Sequence, residues 1–322
     1  MERLGIICSG GDSQGMNACV KTIVNICTTH GILPIAIRRG YQGLIENDMM
    51  FLNNEMVQNI DNLGGCVIKV SRSKEFMTQS GIKKAVNNLI KNQIDAVVVI
   101  GGEGSFKGAE SLEKNGINVI CVPATIDNDL FYTDMCLGFD TAVNNAVNAI
   151  DNIRQTMEAN NRALIVETMG RECGAITLST ALATTAHSVA MRETKTDLKD
   201  VVNDVKYALS IGIESPLVIA TENLKFSLED IANALEKNLK IECRTCKLGY
   251  IQRGGAPSVA DRNLAIKYGI TAVELALQNK FGVAIGVKNG TVIAVKITDA
   301  NRTPKQLDLA PYFALKKLYN RK

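Results

Sequence analysis

The run Asp95-Ala-Val-Val-Val-Ile100 constrains the chain more than any other stretch. Continuous rather than alternating hydrophobicity over so few residues predicts a strand covered on both faces, as parallel sheets require. It ends in Gly101-Gly-Glu-Gly-Ser-Phe-Lys-Gly108. Glycines let a backbone approach a ligand closely, and a helix starting there offers N–H groups and a positive dipole end to an anion such as phosphate. A second apolar run, Asn118-Val-Ile-Cys-Val122, empties into Pro123-Ala-Thr-Ile-Asp-Asn-Asp129, a loop with two carboxylates at i and i+2. Parallel strands put their C-terminal ends on one sheet edge, so the anion cradle and the acidic loop are expected to face one crevice. That combination suits phosphoryl transfer, in which the protein mainly positions two reactants and neutralises charge on the moving group.

A chain of 322 residues is long enough for two domains with substantial cores. The net charge of +3 and a pI near 8.3 arise from scattered basic residues, so nucleic-acid binding has no compositional support. The opening Met1-Glu-Arg-Leu-Gly-Ile-Ile-Cys8 reads as a first strand rather than a signal peptide. No run approaches the roughly eighteen apolar residues of a membrane span, so no membrane partner is expected. Nine cysteines, an odd number mostly in apparent strands and helices, point to a reducing cytoplasm with buried thiols.

Along the chain, Leu4–Cys8 leads through Ser9-Gly-Gly-Asp-Ser-Gln-Gly-Met-Asn17 into a helix to about Thr28, a second glycine-rich anion turn. Pro34–Ile37 reads as a strand before Arg39-Gly-Tyr-Gln-Gly-Leu44. Asn62-Leu-Gly-Gly65 turns ahead of a strand-like Val67–Val70, with Arg72 beyond it. In the helix 139–157, Val143, Ala146, Val147, Ile150, Ile153 and Met157 form an apolar stripe that reads as core. Strands Arg162–Thr168 and Leu217–Ala220 end at Met169-Gly-Arg171 and Glu222, polar groups at strand ends where a second domain offers ligands. Ser227–Asn238 is a helix with a Ser227/Asp230 capping box. Cys243 and Cys246 lack a second pair and point to opposite faces of a strand, which argues against a metal. A helix over 261–278 and strands around Lys288-Asn-Gly290 follow, and the tail from Pro304 ends in a basic helix.

The set Ser9-Gly-Gly-Asp12, Gly15-Met-Asn17, Gly102-Glu-Gly-Ser105, Thr125-Ile-Asp-Asn-Asp129, Met169-Gly-Arg171 and Gln252-Arg-Gly-Gly255 resembles the bacterial-type 6-phosphofructokinase family nearly end to end. The resemblance implies two Rossmann-like three-layer α/β/α domains with mainly parallel sheets. A larger nucleotide-binding domain would comprise 1–138 plus 251–302, and a smaller sugar-phosphate-binding domain 139–250 plus 303–322. It implies ATP and magnesium as cofactors, fructose 6-phosphate as acceptor and a homotetramer. By the same resemblance Asp127 is the base that takes the hydroxyl proton, Thr125 meets the phosphoryl oxygens, and Arg72 and Arg171 offset its charge. Gly11, Tyr41, Arg72, Gly102, Glu103, Gly104, Ser105 and Gly108 belong to the nucleotide side, with Glu103 the metal ligand. Asp129, Met169, Gly170, Glu222, Tyr250, Arg253, Arg162 and Arg244 belong to the sugar phosphate, the last pair reaching across a subunit interface. Small Gly104 and Ala124 stand where pyrophosphate users carry aspartate and lysine, which favours ATP.

Departures from the family pattern temper this. Glu103 replaces an aspartate, lengthening the arm by about 1.5 Å, and magnesium tolerates misplacement poorly. Tyr250 replaces a histidine, Ser13-Gln14 replaces an Ala-Pro, and Ser73, Met77 and Ile82 thin the nucleotide side. Asn25, Asn54, Ile211, Ile213 and His187 replace effector-binding groups, leaving Lys21 and Arg154, so regulation by ADP or phosphoenolpyruvate is not expected. An alternative reading is a catalytically weak or regulatory subunit partnering an active homologue. A dinucleotide dehydrogenase fits worse, because the third glycine is out of register and Asp127, Arg171 and Arg253 go unexplained. Nothing in the sequence separates fructose 6-phosphate from an epimer such as tagatose 6-phosphate.

Overall fold

The computed structural model describes residues 1–301 and 305–319. The expected domain limits at 302, 303 and 322 and the tail's start at Pro304 lie outside these residues. The chain forms two compact units, one of Met1–Ile126, Leu130–Thr141 and Arg253–Lys305, the other of Asp127–Asp129, Ala142–Gln252 and Gln306–Lys322.

The first unit contains strands β1 (Arg3–Cys8), β2 (Leu33–Ile37), β3 (Met49–Phe51), β4 (Ala96–Gly101) and β5 (Asn118–Pro123). Its helices are α1 (Met16–Thr29), α2 (Gly40–Glu46), α3 (Gln79–Lys91) and α4 (Glu103–Glu113), and α5 (Phe139–Glu158) starts in this unit and runs on into the second. The second unit adds β6 (Ala163–Thr168), α6 (Ala175–Ala183), β7 (Ser188–Ala190), α7 (Leu198–Ser210), β8 (Leu217–Thr221), α8 (Leu228–Leu239) and β9 (Cys243–Lys247). Chain order then returns to the first unit for α9 (Val259–Leu277), β10 (Val283–Lys288), β11 (Thr291–Lys296) and α10 (Ile297–Ala300), and α11 (Ala310–Leu318) rejoins the second.

The first sheet runs β11-β10-β5-β4-β1-β2-β3, parallel except where β3 and β11 join antiparallel at its edges. In β4 the buried valines and isoleucine alternate faces, Val98 and Ile100 packing into one core and Val97 and Val99 into the other. Two buried faces need helices on both sides, which makes the unit three-layered. The second sheet, β7-β8-β6-β9, is parallel throughout and also has a core on each face. Capping boxes Asp197/Asp200 and Ser227/Asp230 start α7 and α8.

The segment 67–70 is a turn, not the strand the sequence suggested. Asn17 Oδ1 takes the Val67 N–H, the Lys69 N–H closes back on the Cys66 carbonyl, and Lys69 adopts φ +64°, leaving no continuous edge to pair. The 139–157 stripe is core at Ala146, Ile150 and Met157, while Val143, Val147 and Ile153 are only half-buried.

Candidate functional site

In the first unit, two glycine turns leave adjacent parallel strands β1 and β4. The β1 turn passes through left-handed Gly10 and Gly15, φ +89° and +91°, before α1 begins without a side-chain cap. A Cβ at Gly11 would push aside the Arg253 guanidinium. Arg253 Nη2 donates to the Asp12 carbonyl and to Asp12 Oδ1, and Gln14 Nε2 donates to the Gly254 carbonyl at 2.9 Å. Asp12 and Gln14 therefore tie the turn to the Arg253 side chain and the Gly254 backbone.

The β4 turn begins α4 at Glu103, again with no side-chain cap; the Ser105 and Phe106 N–H groups close on the Gly102 carbonyl, and the Glu103 and Gly104 N–H groups remain for another acceptor. Thr125 packs 3.4 Å from where a Gly102 Cβ would lie, which brings these two expected residues together. Gly104 opens onto free space. Tyr41 is buried, and its hydroxyl donates to the Ser105 carbonyl at 2.6 Å. Its ring stacks on Phe76 at 4.1 Å and fills the space beside Gly108. Tyr41 and Gly108 thus pack together beneath the first turns of α4. Arg72 is exposed. Glu103 is half-exposed, paired with Lys107.

In the second unit, Asp127 is 3% exposed and its Oδ2 lies 3.3 Å from Arg171 Nε. Asn128 turns the chain at φ +48°, a conformation asparagine tolerates, between Asp127 and the half-buried Asp129. Arg171 itself sits at φ +54° after Gly170 at +144°. Glu222 holds this strained step, its Oε1 accepting the Gly170 and Arg171 N–H groups at 3.1 and 2.7 Å. Gln252, fully buried, accepts the Met169 N–H at 3.2 Å. Met169–Arg171 and Glu222 leave β6 and β8, neighbouring strands whose chains then diverge to opposite sides of the sheet, the place where open parallel sheets bind ligands.

Arg162 and Arg244 do not join that group. They lie where β6 and β9 begin, roughly 20 Å of strand from Met169 at about 3.3 Å per residue. Both guanidinium groups grip Glu242, at 2.8 Å for Arg162 and 2.5 Å for Arg244, and these contacts, Arg162's first, hold its carboxyl below its usual range. One carboxylate for two arginines leaves a net positive charge there. Tyr250 is 83% exposed.

Sequence reasoning missed Glu242, Gln14, Asp12 and Lys107. Glu242 stands beside Arg162 only through strand pairing, and nothing local announces it. The Glu103/Lys107 spacing of i and i+4 was legible as a helical ion pair. Among the described residues no group of three metal-ligating side chains gathers, and all nine cysteines are free, Cys243 and Cys246 included. Magnesium that arrives on phosphates takes only one or two protein carboxylates and keeps several waters, so a single carboxylate at Glu103 beside open Gly104 fits that ion. No described helix is long and apolar enough to cross a membrane.

Uncapped helix starts behind glycine turns, a buried aspartate paired with arginine, and polar loops at a strand divergence define a phosphoryl-handling α/β protein. The sequence pattern of the Phosphofructokinase family matches residues 3–276. The chain belongs to the phosphofructokinase family. It is 39% identical over 312 residues to the ATP-dependent 6-phosphofructokinase of Clostridioides difficile (strain 630), covering 97% of this chain and 98% of that one. Identity to the ATP-dependent 6-phosphofructokinase of Lactobacillus delbrueckii subsp. bulgaricus is 40% over 299 residues, 93% of each. The solved phosphofructokinase of Saccharomyces cerevisiae superimposes with a TM-score of 0.87 at 28% identity over 94% of this chain, which spans only 45% of the yeast polypeptide.

Proposed function

We propose that the chain transfers the γ-phosphoryl group of ATP to the 1-hydroxyl of fructose 6-phosphate, forming fructose 1,6-bisphosphate and ADP in glycolysis. The observation that carries the reading is Asp127, buried, ionically paired to Arg171 and two residues beyond Thr125. Asp127 removes the hydroxyl proton as that oxygen attacks the γ-phosphorus and the bond to the β,γ-bridging oxygen of ADP breaks. A general base of this kind contributes about 10²–10⁴-fold in rate. Arg171 gives up its hold on Asp127 as charge moves to the phosphoryl oxygens, and Arg72 and Thr125 meet the same oxygens. The N–H groups at Gly11, Gly102 and Gly104, with Ser105 beside them, receive the nucleotide phosphates.

Asp129, Met169, Gly170, Glu222, Tyr250 and Arg253 serve the sugar phosphate. Arg162 and Arg244 serve it from a neighbouring copy, since they stand at the far end of their own sheet, and guanidinium forks suit phosphate. Glu103 anchors magnesium, which neutralises charge on the nucleotide phosphates when bound. The larger unit is the nucleotide domain, the smaller the sugar-phosphate domain, and the assembly is a cytoplasmic homotetramer. The test is fructose 1,6-bisphosphate production by the purified chain with ATP, fructose 6-phosphate and magnesium. No turnover with ATP, or turnover only with pyrophosphate, overturns the reading.

A further inference from the structure

Lys107 has no part in the reaction as described, yet it stands one helical turn from the proposed metal ligand. Its Nζ lies 2.5 Å from Glu103 Oε1, and the two side chains are 59% and 52% exposed. An ion pair so open to water is weakly held. A lysine this close to a helix start also faces the positive end of the macrodipole, which favours anions there. The α4 start has no side-chain cap, and a Cβ at Gly104 would meet nothing within 4 Å. An anion received by those N–H groups therefore comes within reach of the Lys107 ammonium.

A divalent cation resting on Glu103 would weaken the pair. Two cations on one carboxylate repel, and the doubly charged ion is the stronger partner. A loosened ammonium would have a phosphate oxygen of the bound nucleotide as its alternative acceptor. We infer that Lys107 is a nucleotide-binding residue whose ammonium exchanges Glu103 for a phosphate oxygen of bound ATP, freeing the Glu103 carboxylate for magnesium. The inference rests on the proposed function. A flexible, compact ammonium suits such a moving contact better than a rigid guanidinium fork.

The test is equilibrium ATP binding to the full chain by calorimetry, with chelator and no metal, for wild type, Lys107→Met, Glu103→Gln and the double variant. Exposed side chains at both positions keep the variants folded. Lys107→Met weakens metal-free ATP binding about fivefold, the equivalent of one exposed charge contact. Glu103→Gln tightens it by releasing the ammonium, and adding Lys107→Met to Glu103→Gln removes that gain. Metal-free affinity within twofold of the parent when Lys107→Met is made in either background overturns the inference alone. A wild-type chain that binds no ATP, with or without magnesium, overturns both it and the proposed function.

Discussion

Replacing Glu222 by alanine removes the acceptor that holds Gly170 and Arg171 in their left-handed step. Its Oε1 receives two backbone N–H groups, at 3.1 and 2.7 Å. A bond to a charged acceptor is worth about 1.5–3 kcal/mol. Glu222 is only half-buried, so the lower figure applies and the two bonds together amount to about 3 kcal/mol. They oppose the cost of φ +54° at Arg171, roughly 1–2 kcal/mol for a residue with a Cβ. On the proposed function the Arg171 guanidinium must stay in place as charge develops, so the loss is expected mainly in kcat, at about 10²-fold. Glu222→Gln keeps an oxygen acceptor and is expected to lose about tenfold. Steady-state fructose 1,6-bisphosphate formation, measured across both substrate concentrations, reads the split. An alanine variant with unchanged kcat refutes the reasoning.

ADP and phosphoenolpyruvate are expected to leave the fructose 6-phosphate saturation curve unshifted, since Lys21 is paired with Asp61 at 2.5 Å and Arg154 with Glu158 at 3.0 Å, while buried His187 accepts the Leu217 N–H. A displaced curve with either compound contradicts this. Gly108→Val drives a side chain into the buried Tyr41 ring, and overpacking of that kind costs about 1–3 kcal/mol, measured as a lower urea midpoint. Asp48 is held below the usual carboxylate range by Arg38 first and Arg39 next. Its stabilising contribution is therefore complete above an unfolded value of about 3.9 and lost as pH falls through the lower folded value. Asp48→Asn is expected to flatten the acid limb of a stability profile, and an unchanged limb counts against the pairing.

The β4 run announced its strand because continuous apolar residues leave no face for water, and both glycine turns followed from where that strand and β1 end. The capping box at Ser227 was legible for the same reason: its partners are three residues apart. What the sequence hid depends on separation. Asn17 and Val67 are fifty residues apart, and their hydrogen bond is what keeps 67–70 out of the sheet. The burial of Tyr41 beneath α4 depends on Ser105 and Phe76, neither of which its own loop foretells. The resemblance gave Arg162 and Arg244 a place across a subunit interface, but that Glu242 ties the two together depends on the pairing of β6 with β9.

Single-turnover phosphoryl transfer by Asp127→Ser, with ATP and fructose 6-phosphate binding measured on the same preparation, probes the buried carboxylate without intermediaries. The expected result is a rate lower by at least about 10²-fold with both substrates still bound. A variant that turns over at the parent rate contradicts the account, because proton removal would then not depend on that side chain.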